Sequence, residues 1–161
     1  IKNISKTVVT QKICPSEIDE YVSKGKKYRR LNYLEAITMG QIALNQDPDI
    51  IYVDAADINP KRFADDIRST LTKDVKIFST HKADQKYPIV SAASIVAKCA
   101  RDAEIVKIAD ENGYFGSGYP SDPRTIKFLK EWFSNQGEMP SFSRKSWKTW
   151  EKIRSTTLEN Y

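Results

Sequence analysis

At 161 residues the chain has the size of one ordinary domain, and 40% hydrophobic residues with 11% aromatics suffice for a core, which excludes a wholly disordered chain. No run of about 18 apolar residues occurs, which excludes a membrane-spanning helix, and one histidine with two cysteines outside any CxxC pair excludes zinc ribbons, zinc fingers and a disulfide scaffold. The net charge of +5 is mild, but from Arg124 to Tyr161 eight basic residues stand against four acidic ones among three tryptophans, which suits either a phosphate-bearing, stackable partner or a solvated helical face.

The chain opens at Ile1 inside a strand-like pattern, so it reads as a piece of a longer protein or one whose start was removed. Ser5 to Ile13, with Thr7, Val8, Val9 and Thr10, predicts a β-strand. Pro15-Ser16-Glu17 opens a short helix, since proline is tolerated in a first turn. Ser23 to Arg30 is a basic loop. Leu31 to Gln46 places Leu34, Ile37, Gly40 and Leu44 at helical spacing, and Asp47-Pro48 ends that helix because the residue before proline avoids the α region.

Ile50-Ile51-Tyr52-Val53 is an unbroken apolar run, the pattern of a parallel strand buried on both faces, and it ends in Asp54-Ala55-Ala56-Asp57. Asn59 caps a helix from Pro60 to Lys73 with Phe63, Ile67 and Leu71 on its inner face. Val75 to Phe78 is a second strand, and strand–helix–strand order predicts a crossover unit of an α/β fold. A loop from His81 to Pro88 leads to a long helix, Ile89 to Asn112, with small residues along one side and Gly113 at its end. Gly116 to Asp122 is a loop, Pro123 to about Gln136 a helix, and about Lys145 to Leu158 a last helix.

Asp54 is the first candidate for chemistry. A carboxylate ending a buried strand is costly unless paired, and ligands of open α/β sheets bind at the carboxyl ends of the strands. The competing readings are a helix cap, which Asn59 already supplies, and a satisfied core aspartate. Asp84 follows the second strand; if the strands are parallel, both carboxylates reach one sheet edge and suit a hard divalent cation, Mg²⁺ or Mn²⁺. Taken alone, Asp84 reads as a loop aspartate facing water. His81 reads as a solvated loop histidine, and Lys82 as a phosphate contact or a solvated lysine. Lys98 and Asp102, four apart on the long helix, read as a surface ion pair. Tyr119, between Gly118 and Pro120, either stacks on a sugar or base or packs on the adjacent helix. Trp132, Trp147 and Trp150 read as a small C-terminal core.

Four strings then coincide in order: Ile50 to Asp57, His81-Lys82-Ala83-Asp84, Val90 to Lys98 with Arg101-Asp102, and Gly116 to Arg124. Together they resemble the type 2 ribonuclease H family, ribonuclease HII, in its archaeal form. The resemblance implies an α/β, ribonuclease H-like fold with a partial central sheet, flanking helices and a C-terminal helical subdomain. Residues 1–121 would form the catalytic core and 122–161 the helical substrate-binding region. It implies two-metal hydrolysis of RNA–DNA hybrids and of ribonucleotides embedded in duplex DNA, leaving 5′-phosphate and 3′-hydroxyl ends. Asp54 and Asp84 match two of the family's four acidic ligands for Mg²⁺ or Mn²⁺, Tyr119 matches the tyrosine at the RNA–DNA junction, and Lys82 flanks the site. A cytoplasmic monomer without membrane partners is expected.

The family's first strand carries an Asp-Glu pair followed by a Gly-Arg-Gly turn, and no such string stands in this sequence. Asp19-Glu20 lies in a predicted helix without those glycines, so the role is not carried onto it. The N-terminal strands are therefore expected to fall outside this chain, which alone would be inactive while the full-length protein is active. The rival from another class is a non-catalytic hybrid-binding module of the same fold; a third is an unrelated phosphatase-like or nuclease α/β domain.

Overall fold

β1 (Ile50–Asp54) and β2 (Lys76–Thr80) pair in parallel, with Ile50 opposite Lys76 and Asp54 opposite Thr80. The structure, a computed structural model, describes residues 1, 3–24 and 30–158, so most of the predicted basic loop lies outside the described residues. The crossover between the strands is α3 (Pro60–Arg68), started by Asn59, whose side chain accepts the Lys61 and Arg62 N–H groups. Side chains alternate across a strand, so Ile51, Val53 and Ile77 share a face. That face packs with Ala36 of α2 (Arg30–Gln46) and with Phe63 and Ile67 of α3, the last two fully buried. Gly40 of α2 lets the two helices approach: a Cβ there would collide with the Thr70 hydroxyl and crowd the Ile67 carbonyl.

The other face of the sheet is not buried as the apolar run predicts. Tyr52 and Phe78, opposite each other in register, stack at 4.8 Å, and Tyr87 leans on Tyr52; all three are half-buried, and Ile50 is 48% exposed. Among the described residues the sheet has two strands, so only the face under α2 and α3 is sealed. Ser5 to Ile13 is likewise not a strand. β-branched residues favour extended backbone, but a strand needs a ladder partner, and this segment has none among the described residues.

α3 stops at Arg68 rather than Lys73, where the Ser69 and Thr70 hydroxyls donate to the Asp66 and Ile67 carbonyls at 2.7 and 2.8 Å and compete with helical bonding. The loop after β2 contains one helical turn, α4 (Ala83–Lys86), and α5 runs from Pro88 to Asn112.

The chain divides into two compact units, Ile1–Lys12 with Lys24–Ala100, and Ile13–Ser23 with Arg101–Tyr161. The functional boundary drawn at 121 from the sequence is a different division from this one. The second unit holds α1 (Pro15–Ser23), the end of α5, α6 (Pro123–Gln136) and α7 (Lys148–Leu158). Its core is Leu129, Trp150 and Ile153, with Phe128, Phe133, Met139 and Trp147 against it. α7 begins three residues later than predicted because the Lys145 and Ser146 N–H groups donate to Asp19 of α1, at 2.7 and 2.9 Å. Burial pushes the Asp19 carboxyl up, but these bonds and the Arg144 charge outweigh it and hold it below its ordinary value. Asp19 is thus occupied in closing this unit.

Candidate metal site and tyrosine loop

Parallel pairing brings the carboxyl ends of β1 and β2 to one edge of the first unit. Asp54 stands opposite Thr80, and the Ala55 N–H donates to the Thr80 carbonyl at 3.1 Å, extending the pairing one residue past β1. His81 and Lys82 follow, and the chain enters α4, whose first turn carries Asp84 and which packs against β1. Lys82 takes the left-handed conformation, φ 54° and ψ 40°, while the fully buried Ala83 anchors the turn. The half-buried Asp54 and the exposed Asp84 carry carboxylates with no hydrogen-bond or ion-pair partner among the described residues.

Asp57, three residues beyond Asp54, is the opposite case. It is buried, accepts the Asn59 N–H at 2.8 Å and the Arg62 Nε at 3.1 Å, and takes a second Arg62 nitrogen on Oδ1. That pairing raises the Arg62 guanidinium further above its ordinary value. Asp57 therefore orders the loop between β1 and α3.

The donor set at the sheet edge is oxygen-only and anionic, which fits a hard divalent cation and not zinc or copper. No group of three or more His, Cys, Asp or Glu side chains able to hold a metal occurs among the described residues. Two carboxylates are a partial shell, the kind Mg²⁺ completes with water and substrate phosphate oxygens. His81 is exposed, as its loop context suggests, but its two ring nitrogens also face the carbonyl oxygens of Ala55 and Ile58, at 3.3 and 3.2 Å. Lys82 is exposed at the same turn.

In the second unit, the loop before α6 is built around Asp122. Its carboxylate caps α6 through the Arg124 N–H at 3.0 Å, accepts the Ser117 N–H at 2.8 Å, and takes the Arg124 side chain at 3.1 and 3.0 Å. The Arg124 guanidinium, helped by the Ser117 and Arg124 N–H groups, holds the Asp122 carboxyl far below the usual carboxylate range. Gly116 has φ +76°, and a Cβ there would fall 2.7 Å from Asp122 Oδ2, so the turn and the close approach both require glycine. Thr125, buried, accepts the Gly118 N–H at 3.1 Å and donates to the Phe115 carbonyl at 2.8 Å.

Tyr119 sits on this frame and is 53% exposed. The Arg101 guanidinium lies 4.0 Å from the ring centroid and also donates to the Ser117 carbonyl. Asp102 pairs with Arg101 at 3.0 Å, not with Lys98 as the four-residue spacing suggests, because the neighbouring guanidinium is already held over the loop. His81 and Arg101 stand in the strings that carry the family resemblance, but their contacts had no local sequence signal, since each depends on partners at least 16 residues away.

Among the described residues no helix is long and apolar enough to cross a membrane. The ribonuclease HII family model matches residues 1–150. The chain is 44% identical over 155 residues to a ribonuclease HII of Pyrococcus abyssi, covering 92% of this chain and 67% of that one. It superposes with a TM-score of 0.80 on the crystal structure of the ribonuclease H2 from Pyrococcus horikoshii OT3, at 45% identity, covering 92% of this chain and 68% of that one. With the structure of the PCNA:RNase HII complex from Archaeoglobus fulgidus the TM-score is 0.77 at 38% identity, covering 92% and 69%. The chain spans about two thirds of the length of the curated relatives it matches.

Proposed function

The chain belongs to the ribonuclease HII family, and from that premise we propose that the full-length protein is an endoribonuclease. It cleaves the RNA strand of RNA–DNA hybrids, and ribonucleotides embedded in duplex DNA, by metal-dependent hydrolysis. One observation carries this reading: two carboxylates follow parallel strands at the same sheet end and lack any partner among the described residues, while Asp57 and Asp122 are saturated by arginines.

In this reading Asp54 and Asp84 hold Mg²⁺ or Mn²⁺. When bound, the ions supply Lewis-acid chemistry for an in-line displacement at phosphorus, activating water and stabilising the departing 3′-oxygen, so that 5′-phosphate and 3′-hydroxyl ends remain. No protein nucleophile is required. The half-buried position of Asp54 strengthens its pull on a cation relative to a fully solvated carboxylate. Lys82, exposed beside Asp84, offers an ammonium to a substrate phosphate. Tyr119, braced by Arg101, presents a fixed ring to the sugar or base at an RNA–DNA junction, and region 122–161 supplies basic residues to the backbone.

The test is Asp54→Asn in the full-length protein. Mg²⁺-dependent hybrid cleavage is abolished while hybrid affinity persists. Unchanged cleavage overturns the reading, and a wild-type protein that binds hybrid without cutting it points to the non-catalytic hybrid-binding module instead.

A further inference from the structure

The chain's sole histidine joins the loop after β1 to the turn after β2. His81 Nδ1 lies 3.3 Å from the Ala55 carbonyl oxygen, and Nε2 lies 3.2 Å from that of Ile58. Carbonyl oxygens only accept, so each contact is a donation from the ring; an imidazolium makes both, and a neutral ring makes one. Ala55 directly follows Asp54, and His81 precedes Asp84 by three residues. The ring therefore spans the two segments that carry Asp54 and Asp84. Between His81 and Asp84 the backbone passes through Lys82 at φ 54°, a conformation that a residue with a side chain keeps only where its surroundings impose it. The buried Ala83 on one side and the bridged His81 on the other supply that constraint.

We propose that His81 is a positioning residue whose ring clamps the loop from Asp54 to Asn59 onto the turn carrying Asp84, fixing the spacing of the two carboxylates. The consequence for a bound ion rests on the metal-site reading above; the clamp itself does not.

The experiment compares full-length wild type, His81→Ala, His81→Gln and Asp54→Asn by two readouts that do not involve cleavage. These are hydrogen exchange of the Ala55 and Asn59 amides, which bond to the Thr80 carbonyl and to Asp57, and equilibrium titration with Mn²⁺ alone. His81→Ala speeds exchange and weakens Mn²⁺ binding, each by about three- to tenfold, the scale of one or two net hydrogen bonds. His81→Gln, whose amide donates to one of the carbonyls, recovers part of both effects, which loss of a merely space-filling ring would not predict. Exchange unchanged in both variants overturns the clamp. Faster exchange with unchanged Mn²⁺ affinity overturns its positioning role. If Asp54→Asn leaves Mn²⁺ affinity untouched, the metal-site reading falls instead, and the exchange rates alone decide the clamp.

Discussion

The two candidate regions use their acidic residues in opposite ways. At the sheet edge of the first unit, Asp54 and Asp84 follow parallel strands and keep their carboxylates unpartnered among the described residues. In the loop of the second unit, Asp122 is saturated by Arg124 and two backbone N–H groups, and its work is to hold a frame on which Tyr119 is displayed. A carboxylate whose lone pairs are filled by a guanidinium and N–H groups has nothing left for a cation, whereas one left open at a strand end keeps its acceptors free. Asp57 shows that this contrast holds within a single loop, since it lies three residues from Asp54 yet is committed to Arg62 and Asn59.

The sharpest way to break the contrast is to exchange the roles by mutation. Asp54→Asn in the full-length protein lowers kcat for hybrid cleavage by more than about a hundredfold, because even the hydrogen-bond partners of metal ligands cost up to that much. Asp57→Ala acts on the other axis. It leaves a loop N–H and a guanidinium without their acceptor and lowers unfolding free energy by about 1–3 kcal/mol in denaturant titration, while Mn²⁺ affinity falls by no more than the loosening of the loop in His81→Ala causes, far less than in Asp54→Asn. A loss of Mn²⁺ binding in that variant as large as that in Asp54→Asn would erase the distinction.

Tyr119→Ala weakens hybrid binding by about tenfold, the scale of one stacked base, while Tyr119→Phe keeps the ring and most of the affinity. Equal losses in the two variants would assign the effect to the hydroxyl. The smallest effect is pH-dependent. The folded Asp122 carboxyl lies below its unfolded value, so its stabilisation is present above that value and lost as pH falls through the folded one. The gap in Tm between wild type and Asp122→Asn is therefore full at neutral pH, persists down to about pH 4, and narrows below it.

Elements with local signatures were legible in the sequence. Asn59-Pro60 marks the start of α3, Asp122-Pro123 that of α6, and the two apolar runs mark a mixed α/β chain whose solved relatives share its fold. Asp54 stood out because a strand-end acid can be seen without knowing its neighbours. What failed depends on distant partners. Ser5 to Ile13 has strand-forming residues but no ladder among the described residues, and Ile50 is half exposed on the face opposite α2 and α3. The start of α7 is set by Asp19, 126 residues before Lys145. His81 and Arg101 are placed by carbonyls 26 and 16 residues away, and no spacing rule encodes such contacts.

In the proposed site Asp54 and Asp84 act on the same ion. A double-mutant cycle in Mn²⁺ affinity, with Asp54→Asn, Asp84→Asn and the double variant in the full-length protein, tests it most directly. If the two share an ion, the second substitution costs far less once the first has been made, and the cycle shows strong coupling. Losses that simply add, or an affinity indifferent to either change, would contradict the account.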